Sequence, residues 1–293
     1  MKAAAFDYVR AASIDEVCRL LAEAGDEERK IIAGGQTLVP LMGMRMARPA
    51  MLIDINHIAA LKGIRREGDT LVIGAGTRQA DVLASAEVKA AVPLLAEALS
   101  NVGHEQTRNR GTVGGSLANA DPTAEIGLTT MTLGGEVTAI GAGGERRIAA
   151  AELFEGAMVT SLGADEILTA VHLPIWSAPR TGYGFHEVGI RHGDFAIAAA
   201  AVQLTLDASG TCARIHIGVG GASPCPLRLT EIEDSLTGRT LDDATVEAAT
   251  AAVPDLLDPQ SDLHAGAEQR RRTALAMVRR SIRTARDRAA QNA

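Results

Sequence analysis

Two glycine-rich segments contain the residue types from which a phosphate-binding site is built. Ala33-Gly34-Gly35-Gln36-Thr37-Leu38 follows a short apolar run and leads into a helical turn through Val39, Pro40, Leu41 and Met42. Glycine lets backbone N–H groups approach a phosphate closely, and the start of a helix adds positive partial charge. The segment matches neither G-x-G-x-x-G nor G-x-x-x-x-G-K-[ST], which argues against the Rossmann and Walker loops. The second segment, 103–122, contains Thr112-Val113-Gly114-Gly115-Ser116, which reads as another amide-rich cradle with two hydroxyls. Asn119, Asp121 and Glu125 follow it and can accept hydrogen bonds from ribose hydroxyls. Two cradles in different structural units suit a diphosphate held between them, so a nucleotide carrying a pyrophosphate fits better than a lone phosphate. Each segment taken alone also fits an ordinary glycine turn, since 30 glycines in 293 residues exceed the usual ~7%.

Little else along the chain suggests chemistry. Cys18, Cys212 and Cys225 are odd in number and form no C-x-x-C pair, whereas iron–sulfur clusters are normally held by four thiolates. Any cluster is therefore expected on another polypeptide. The seven histidines show no H-E-x-x-H or similar ligand spacing, so no metal site is expected. A formal charge of −7, with one Trp, two Tyr and four Phe, offers neither the electrostatic footprint nor the stacking surface of a nucleic-acid binder. The first residues carry Asp7, Arg10, Asp15 and Glu16 and no apolar run of signal-peptide length. No stretch approaches 18 uncharged apolar residues, so membrane insertion is not expected and the cytoplasm is the expected location.

The elements that must hold the two segments can be read from periodicity. Ser13 and Glu16 have capping-box spacing, and Ile14, Val17, Leu20, Leu21 and Ala24 recur at helical spacing up to Gly25. Short strands at Lys30–Ala33 and Met51–Ile55 complete a βαββ-like unit over 1–56. A mixed α+β unit follows over 57–176, with strands at Leu71–Gly76, Glu136–Ile140, Arg146–Ala150 and Ile167–Leu173 and helices at Asp81–Ala90 and Pro93–Ser100. Pro174 and Pro179 bracket a linker into a last unit, 177–293, with strands at Tyr183–Ile190, Ala196–Leu206 and Ala213–Val219 and then helices. The final helix, about 266–288, sets Leu275, Val278, Ile282 and Ala285 on one stripe and carries eight arginines. Those arginines fit either a solvated basic face or a docking surface for an acidic partner.

Four stretches, in order, carry a family resemblance: AGGQTLVPLMGMRMARP (33–49), GTVGGSLANADPTAE (111–125), GDFAIAAAAV (193–202) and AEQRRRTALAMVRRSI (267–282). Together they resemble the flavoprotein (medium) subunit of the molybdenum hydroxylases, the xanthine dehydrogenase and carbon monoxide dehydrogenase family, over about residues 6–283. The resemblance implies a vanillyl-alcohol-oxidase-type FAD-binding fold, with two α/β subdomains clasping FAD and a C-terminal domain of a three-stranded antiparallel sheet with helices. By the same resemblance, Ala33, Gly34, Gly35, Gln36, Thr37 and Leu38, with Thr112, Val113, Gly114, Gly115 and Ser116, form the FAD diphosphate loops. Glu125 takes the position of an acidic ribose ligand, and Leu168 and His186 align with positions that contact the flavin ring. His186 stands where some relatives have lysine, Gln269 where tyrosine is common, and Thr37 where serine is common. Family members pair this chain with a small subunit holding two [2Fe–2S] clusters and a large subunit holding a molybdopterin cofactor, as a dimer of heterotrimers. Substrate is then oxidised at molybdenum, and electrons leave through the clusters and FAD to an external acceptor.

Two other functions compete. A stand-alone FAD-dependent reductase or oxidase of similar fold would need its own substrate pocket and proton donor. A non-catalytic nucleotide-binding module would bind its ligand without yellow colour.

Overall fold

The computed structural model describes residues 2–292. The N-terminal sheet joins β1 (Asp7–Arg10), β2 (Arg29–Ile32) and β3 (Met51–Asp54) in the order β1-β3-β2, with both pairings parallel. Parallel neighbours need crossover connections, and the helices Ile14–Ala22 and Leu38–Gly43 lie in them. Ser13 accepts from the Glu16 N–H at 3.2 Å, while Glu16 reaches back to the Ala12 N–H at 2.8 Å, one residue before the usual capping-box donor. The first helix buries Val17, Cys18, Leu20 and Leu21. These pack with Ile53, Ile55 and Leu61 into one apolar cluster.

The second sheet is antiparallel throughout. It is built from β4 (Ile64–Glu67), β5 (Thr70–Gly74), β6 (Glu136–Gly141) and β7 (Gly144–Ala149) and, after the small hairpin of β8 (Phe154–Gly156) and β9 (Val159–Thr160), from β10 (Ile167–Pro174). Their order is β4-β5-β10-β6-β7. The helix expected over 81–90 is broken at Ser85, whose extended backbone lets its hydroxyl cap the next helix through the Val88 N–H. The segment 103–122, expected as a loop, contains the helices Glu105–Arg110 and Val113–Asn119. A further helix, Glu125–Leu133, went unread because it is buried all round from Ile126 to Leu133 and so has no amphipathic stripe. Its threonines satisfy themselves inside the core. Thr129, Thr130 and Thr132 donate to the carbonyls of Glu125, Ile126 and Leu128 at 2.7, 2.7 and 2.8 Å.

The third sheet runs β11 (Thr181–Val188), β12 (Ala198–Leu206), β13 (Cys212–Gly220) and β14 (Leu227–Arg228), all antiparallel. Three strands were expected. The fourth pairs only two residues, too few for a period-2 pattern to register. The terminal helix, Ala267–Gln291, lies against this sheet at very short range: a Cβ on Gly184 would stand 2.4 Å from the Ser281 carbonyl oxygen. Ser281 itself donates to the Ala200 carbonyl at 3.0 Å.

Most of the terminal arginines staple the helix to the rest of the chain, while Arg272 and Arg280 stay exposed. Arg270 is 6% exposed and donates to the carbonyls of Ile197 and Gly221 and to Asp262 at 2.6, 2.9 and 2.6 Å. Arg279 and Arg283 pair with Glu247, Arg286 with Asp243, and Arg288 with Glu97. No helix among the described residues is long and apolar enough to cross a membrane.

Candidate functional site

The two glycine segments meet at the junction of the first two sheets. The first leaves the end of β2, and the glycine loop of the second, Thr112–Ser116, follows the helix Glu105–Arg110. They are in direct contact, since a Cβ on Gly34 would stand 2.5 Å from the Arg110 carbonyl oxygen and 2.8 Å from Gly111 Cα. Any side chain at position 34 would force the loops apart. Gly35 has a φ of +69°, a left-handed conformation that suits glycine.

The two loops offer different chemistry. In the first, the N–H groups of Gly34, Gly35, Gln36 and Thr37 have no hydrogen-bond partner among the described residues, and Gln36 Nε2 folds back onto the Gly34 carbonyl at 3.2 Å. Four consecutive free donors ahead of the helix Leu38–Gly43 form a nest suited to an anion. The second loop departs from the amide-rich cradle expected of it. The N–H groups of Val113, Gly114 and Ser116 donate to Thr77, Ala75 and Thr112 carbonyls, and the Gly115 N–H is capped by Thr112 Oγ1 at 3.1 Å. Val113 is buried as core. Gly114 is buried too, where a Cβ would come within 2.4 Å of Ala75 Cβ. Gly115 alone of the pair is exposed, its Cβ position 3.8 Å from Ala33 Cβ across the gap between the loops. The second loop therefore supplies a floor without side chains and the Ser116 hydroxyl, while the first supplies the donors.

Of the expected acceptors, Asn119 lies beside Met158, with Nδ2 to Sδ 3.8 Å. Asp121 is engaged in a turn, its Oδ1 accepting from the Thr123 N–H and hydroxyl at 2.9 and 2.6 Å. The Glu125 side chain forms no hydrogen bond with another described residue, and its carboxyl faces only its own backbone N–H. Burial pushes its carboxyl up to about 8, a backbone hydrogen bond pulls against this, and the nearby charges of Glu187 and Asp121 add to the rise. Glu187, on β11, is pushed up by burial to about 7, and its Oε2 is buried without a partner.

Because the folded Glu125 holds its proton more tightly than the unfolded chain, the stability linked to it is fully present below the ordinary value of 4.5 and is lost as pH rises towards about 8. Glu125→Gln, which stays neutral, is expected to raise the melting temperature of the flavin-free chain at pH 8 by about 8 °C, from roughly 4 kcal/mol. At pH 4.5 it is expected to change little. A gain of equal size at both pH values would show that the carboxyl does not titrate in this way.

The two positions expected at the flavin ring lie on β10 and β11, outside the loops themselves. Leu168 is 5% exposed at a bulge in β10, with its side chain in the core, so only its main chain is left to face a ligand. His186 Nε2 is 2.9 Å from Thr284 Oγ1, on the face of β11 that Gly182 and Gly184 also present to the terminal helix. Burial and the Arg280 guanidinium hold its ring below the usual histidine value. Strand alternation turns Tyr183, Phe185 and Glu187 to the other face, where Phe185 joins the core that contains β5 and β10. Glu187 therefore faces the side of β5 and β10, where its charge acts on Glu125. The glycines at 182 and 184 were the available signal, because they mark the helix-facing register that 186 shares.

The Gly193-Asp194-Phe195-Ala196 turn rests on the start of the second segment, with a Gly193 Cβ position 2.9 Å from the Gly103 carbonyl and the His104 ring. It leaves Phe195 76% exposed.

Comparison with known proteins agrees with this architecture. The model for the FAD binding domain in molybdopterin dehydrogenase matches residues 4–176, and that for the CO dehydrogenase flavoprotein C-terminal domain matches 183–285. The chain is 42% identical to the 6-hydroxypseudooxynicotine dehydrogenase complex subunit alpha of Paenarthrobacter nicotinovorans, covering 99% of this chain and 97% of that one. It is 36% identical to the carbon monoxide dehydrogenase medium chain of Afipia carboxidovorans, over 97% and 98% of the two chains. The structure superposes on carbon monoxide dehydrogenase from Hydrogenophaga pseudoflava with a TM-score of 0.95 at 35% identity, covering 98% of this chain and 99% of that one. With both domain models in chain order and full-length relatives of this kind, the chain belongs to the FAD-binding medium subunits of the molybdenum hydroxylase family.

Proposed function

We propose that FAD lies with its diphosphate between the Ala33–Leu38 and Thr112–Ser116 loops, and that the chain thereby works as the electron outlet of a multi-subunit molybdenum hydroxylase. The observation that carries this reading is the pairing of four free amides on one loop with an exposed, Cβ-less floor at Gly115 on the other. These residues fit a diphosphate, because the donors are oriented before binding and the floor admits close approach.

FAD, when bound, supplies the exchange between one- and two-electron steps that links clusters to an acceptor. The chain's own groups bind and orient it. The Gly34–Thr37 amides hold the diphosphate charge and the Ser116 hydroxyl donates beside them. Asn119 and Glu125 face the ribose, with the Glu125 carboxyl able to donate as well as accept while it keeps its proton. Asp121 contributes by shaping the turn that brings Glu125 into place. Leu168 takes part through its main chain. The β11 side chain turned towards the flavin-bearing units is Glu187, while His186 braces the terminal helix.

In this reading the chain has three parts, a vanillyl-alcohol-oxidase-type pair of subdomains (1–56 and 57–176) and a C-terminal domain (177–293), supported by the three main sheets. Its partners are a small [2Fe–2S] subunit and a large molybdopterin subunit, assembled as a dimer of heterotrimers in the cytoplasm.

Purified full-length chain tests the cofactor assignment. About one FAD per chain, identified after denaturing release and bleached by dithionite, is the expected result. A colourless preparation that takes up no added FAD would overturn it.

A further inference from the structure

Behind the two glycine loops lies a chain of polar contacts with no role in the reading above. At the end of β3, Asp54 Oδ1 accepts from the Asn56 N–H at 2.8 Å and from Asn56 Nδ2 at 2.6 Å, while Oδ2 accepts from the Tyr8 hydroxyl. Asn56, fixed in this way, also donates from Nδ2 to the Ala33 carbonyl at 2.8 Å. Its Oδ1 accepts from Arg78 Nη2 at 2.6 Å, and Arg78 Nη1 donates to the Arg110 carbonyl.

The two carbonyls at the ends of this chain matter. Ala33 opens the first loop, and a trans peptide points its C=O opposite to the next N–H, so holding the Ala33 oxygen fixes the direction of the free Gly34 amide. The Arg110 oxygen is the atom 2.5 Å from the Gly34 Cβ position, at the point where the loops touch. Arg78 itself sits in main chain already paired with the second loop, since Gln79 N–H donates to the Gly111 carbonyl at 2.9 Å and Val113 N–H to the Thr77 carbonyl at 3.1 Å. A guanidinium can serve two acceptors at once in a fixed fork, which an ammonium cannot reproduce.

We propose that Asn56 and Arg78 act together as a positioning bridge that sets the separation of the two glycine loops, and with it the affinity for FAD. The proposal rests on the reading that those loops hold the FAD diphosphate. Neither side chain needs to touch the cofactor. They hold the donor nest in register with the floor, and Asp54 and Tyr8 hold Asn56.

The test is a double-mutant cycle on the full chain, with FAD affinity read by fluorescence titration and the melting temperature of the flavin-free protein read alongside. Arg78→Ala and Asn56→Ala are each expected to weaken FAD binding about ten- to hundredfold, the scale of a lost hydrogen bond to a charged group. The double variant is expected to bind no more weakly than the worse single, because either change opens the same bridge. Arg78→Lys should recover part of the loss, and the flavin-free melting temperatures should stay within about 2 °C of each other, as for a sub-kilocalorie change. Losses that multiply in the double variant, unchanged affinity in either single, or affinity losses that merely track falling melting temperatures overturn the bridge. Failure of the unmutated chain to bind FAD would instead remove the diphosphate reading on which the bridge depends.

Discussion

Gly115→Val is expected to yield a folded chain that purifies without flavin, whereas Gly114→Val is expected to fail at folding. The two glycines are adjacent in sequence and opposite in role. At position 114 an added Cβ would lie 2.4 Å from Ala75 Cβ and 2.8 Å from Ala75 Cα, with main chain that the Gly114 N–H to Ala75 carbonyl bond of 2.8 Å holds in place. Neither side can yield, and overpacking against backbone in a buried position costs roughly 3 kcal/mol or more. At position 115 the nearest atom to a Cβ is Thr112 Oγ1 at 2.7 Å, the hydroxyl that caps the helix Val113–Asn119. Displacing that cap costs about 1 kcal/mol, a melting shift of only a few degrees in a chain of this size. The remainder of the valine then fills the gap towards Ala33, where the diphosphate is proposed to lie. Flavin-to-protein ratio by absorbance, beside circular dichroism and a melting curve, separates the two outcomes. A soluble Gly115→Val chain that retains one FAD would place the cofactor elsewhere.

This division between neighbouring glycines was not legible in the sequence. Glycine pairs at 34–35 and 114–115 identified both loops, because a residue without Cβ is conspicuous wherever backbones or ligands come close. Which of those two purposes each glycine serves depends on tertiary neighbours: Arg110 faces Gly34 and Ala75 faces Gly114, contacts between residues far apart in the chain. The same limit explains the amides. Both loops look alike as glycine-rich stretches, yet only the first keeps its N–H groups free, because Thr77, Ala75 and Thr112 carbonyls and the Thr112 hydroxyl take up those of the second.

A helix with one buried face was legible and a helix buried on every side was not, whereas β5, β10 and β12, buried on both faces, still show as apolar runs. The helix Ile14–Ala22 announces itself through a cap and an apolar stripe, while Glu125–Leu133, more deeply buried, has threonines where a stripe would show polar residues on the outside. The strand β11 could have been oriented from sequence. Gly182 and Gly184 lie two residues apart on the face that must admit the terminal helix, and period-2 alternation puts His186 on that face and Glu187 on the other.

The isolated chain is expected to be reduced by dithionite and by no substrate of its complex, and flavin reduction by substrate is expected only once the partner subunits are present. The argument comes from its own titratable and nucleophilic groups. Burial raises all three cysteine thiols above their ordinary value, Cys212 to about 11, so none is poised as a thiolate ligand or nucleophile. Cys18 and Cys225 also point their thiols at the carbonyls of Ile140 and Phe154, each at 3.5 Å. His172 and His216, pushed down to about 4 chiefly by burial, are bound to Thr138 Oγ1 and the Thr132 carbonyl inside the core, out of reach of an incoming molecule. Near the proposed cofactor, the carboxyls of Glu125 and Glu187 are suited to hydrogen bonding and not to hydroxylating a carbon. In the proposed reading, oxidising equivalents enter from another subunit, as electrons. The measurement is the flavin absorbance under anaerobic conditions, with carbon monoxide and a panel of N-heterocycles and aromatic thioesters added first to the chain alone and then to the complex co-expressed with its partner subunits. Bleaching in the complex and none in the isolated chain is the expected pattern, with iron and molybdenum found only in the complex. Bleaching of the isolated chain by any of these compounds would move the protein to the stand-alone flavoenzymes.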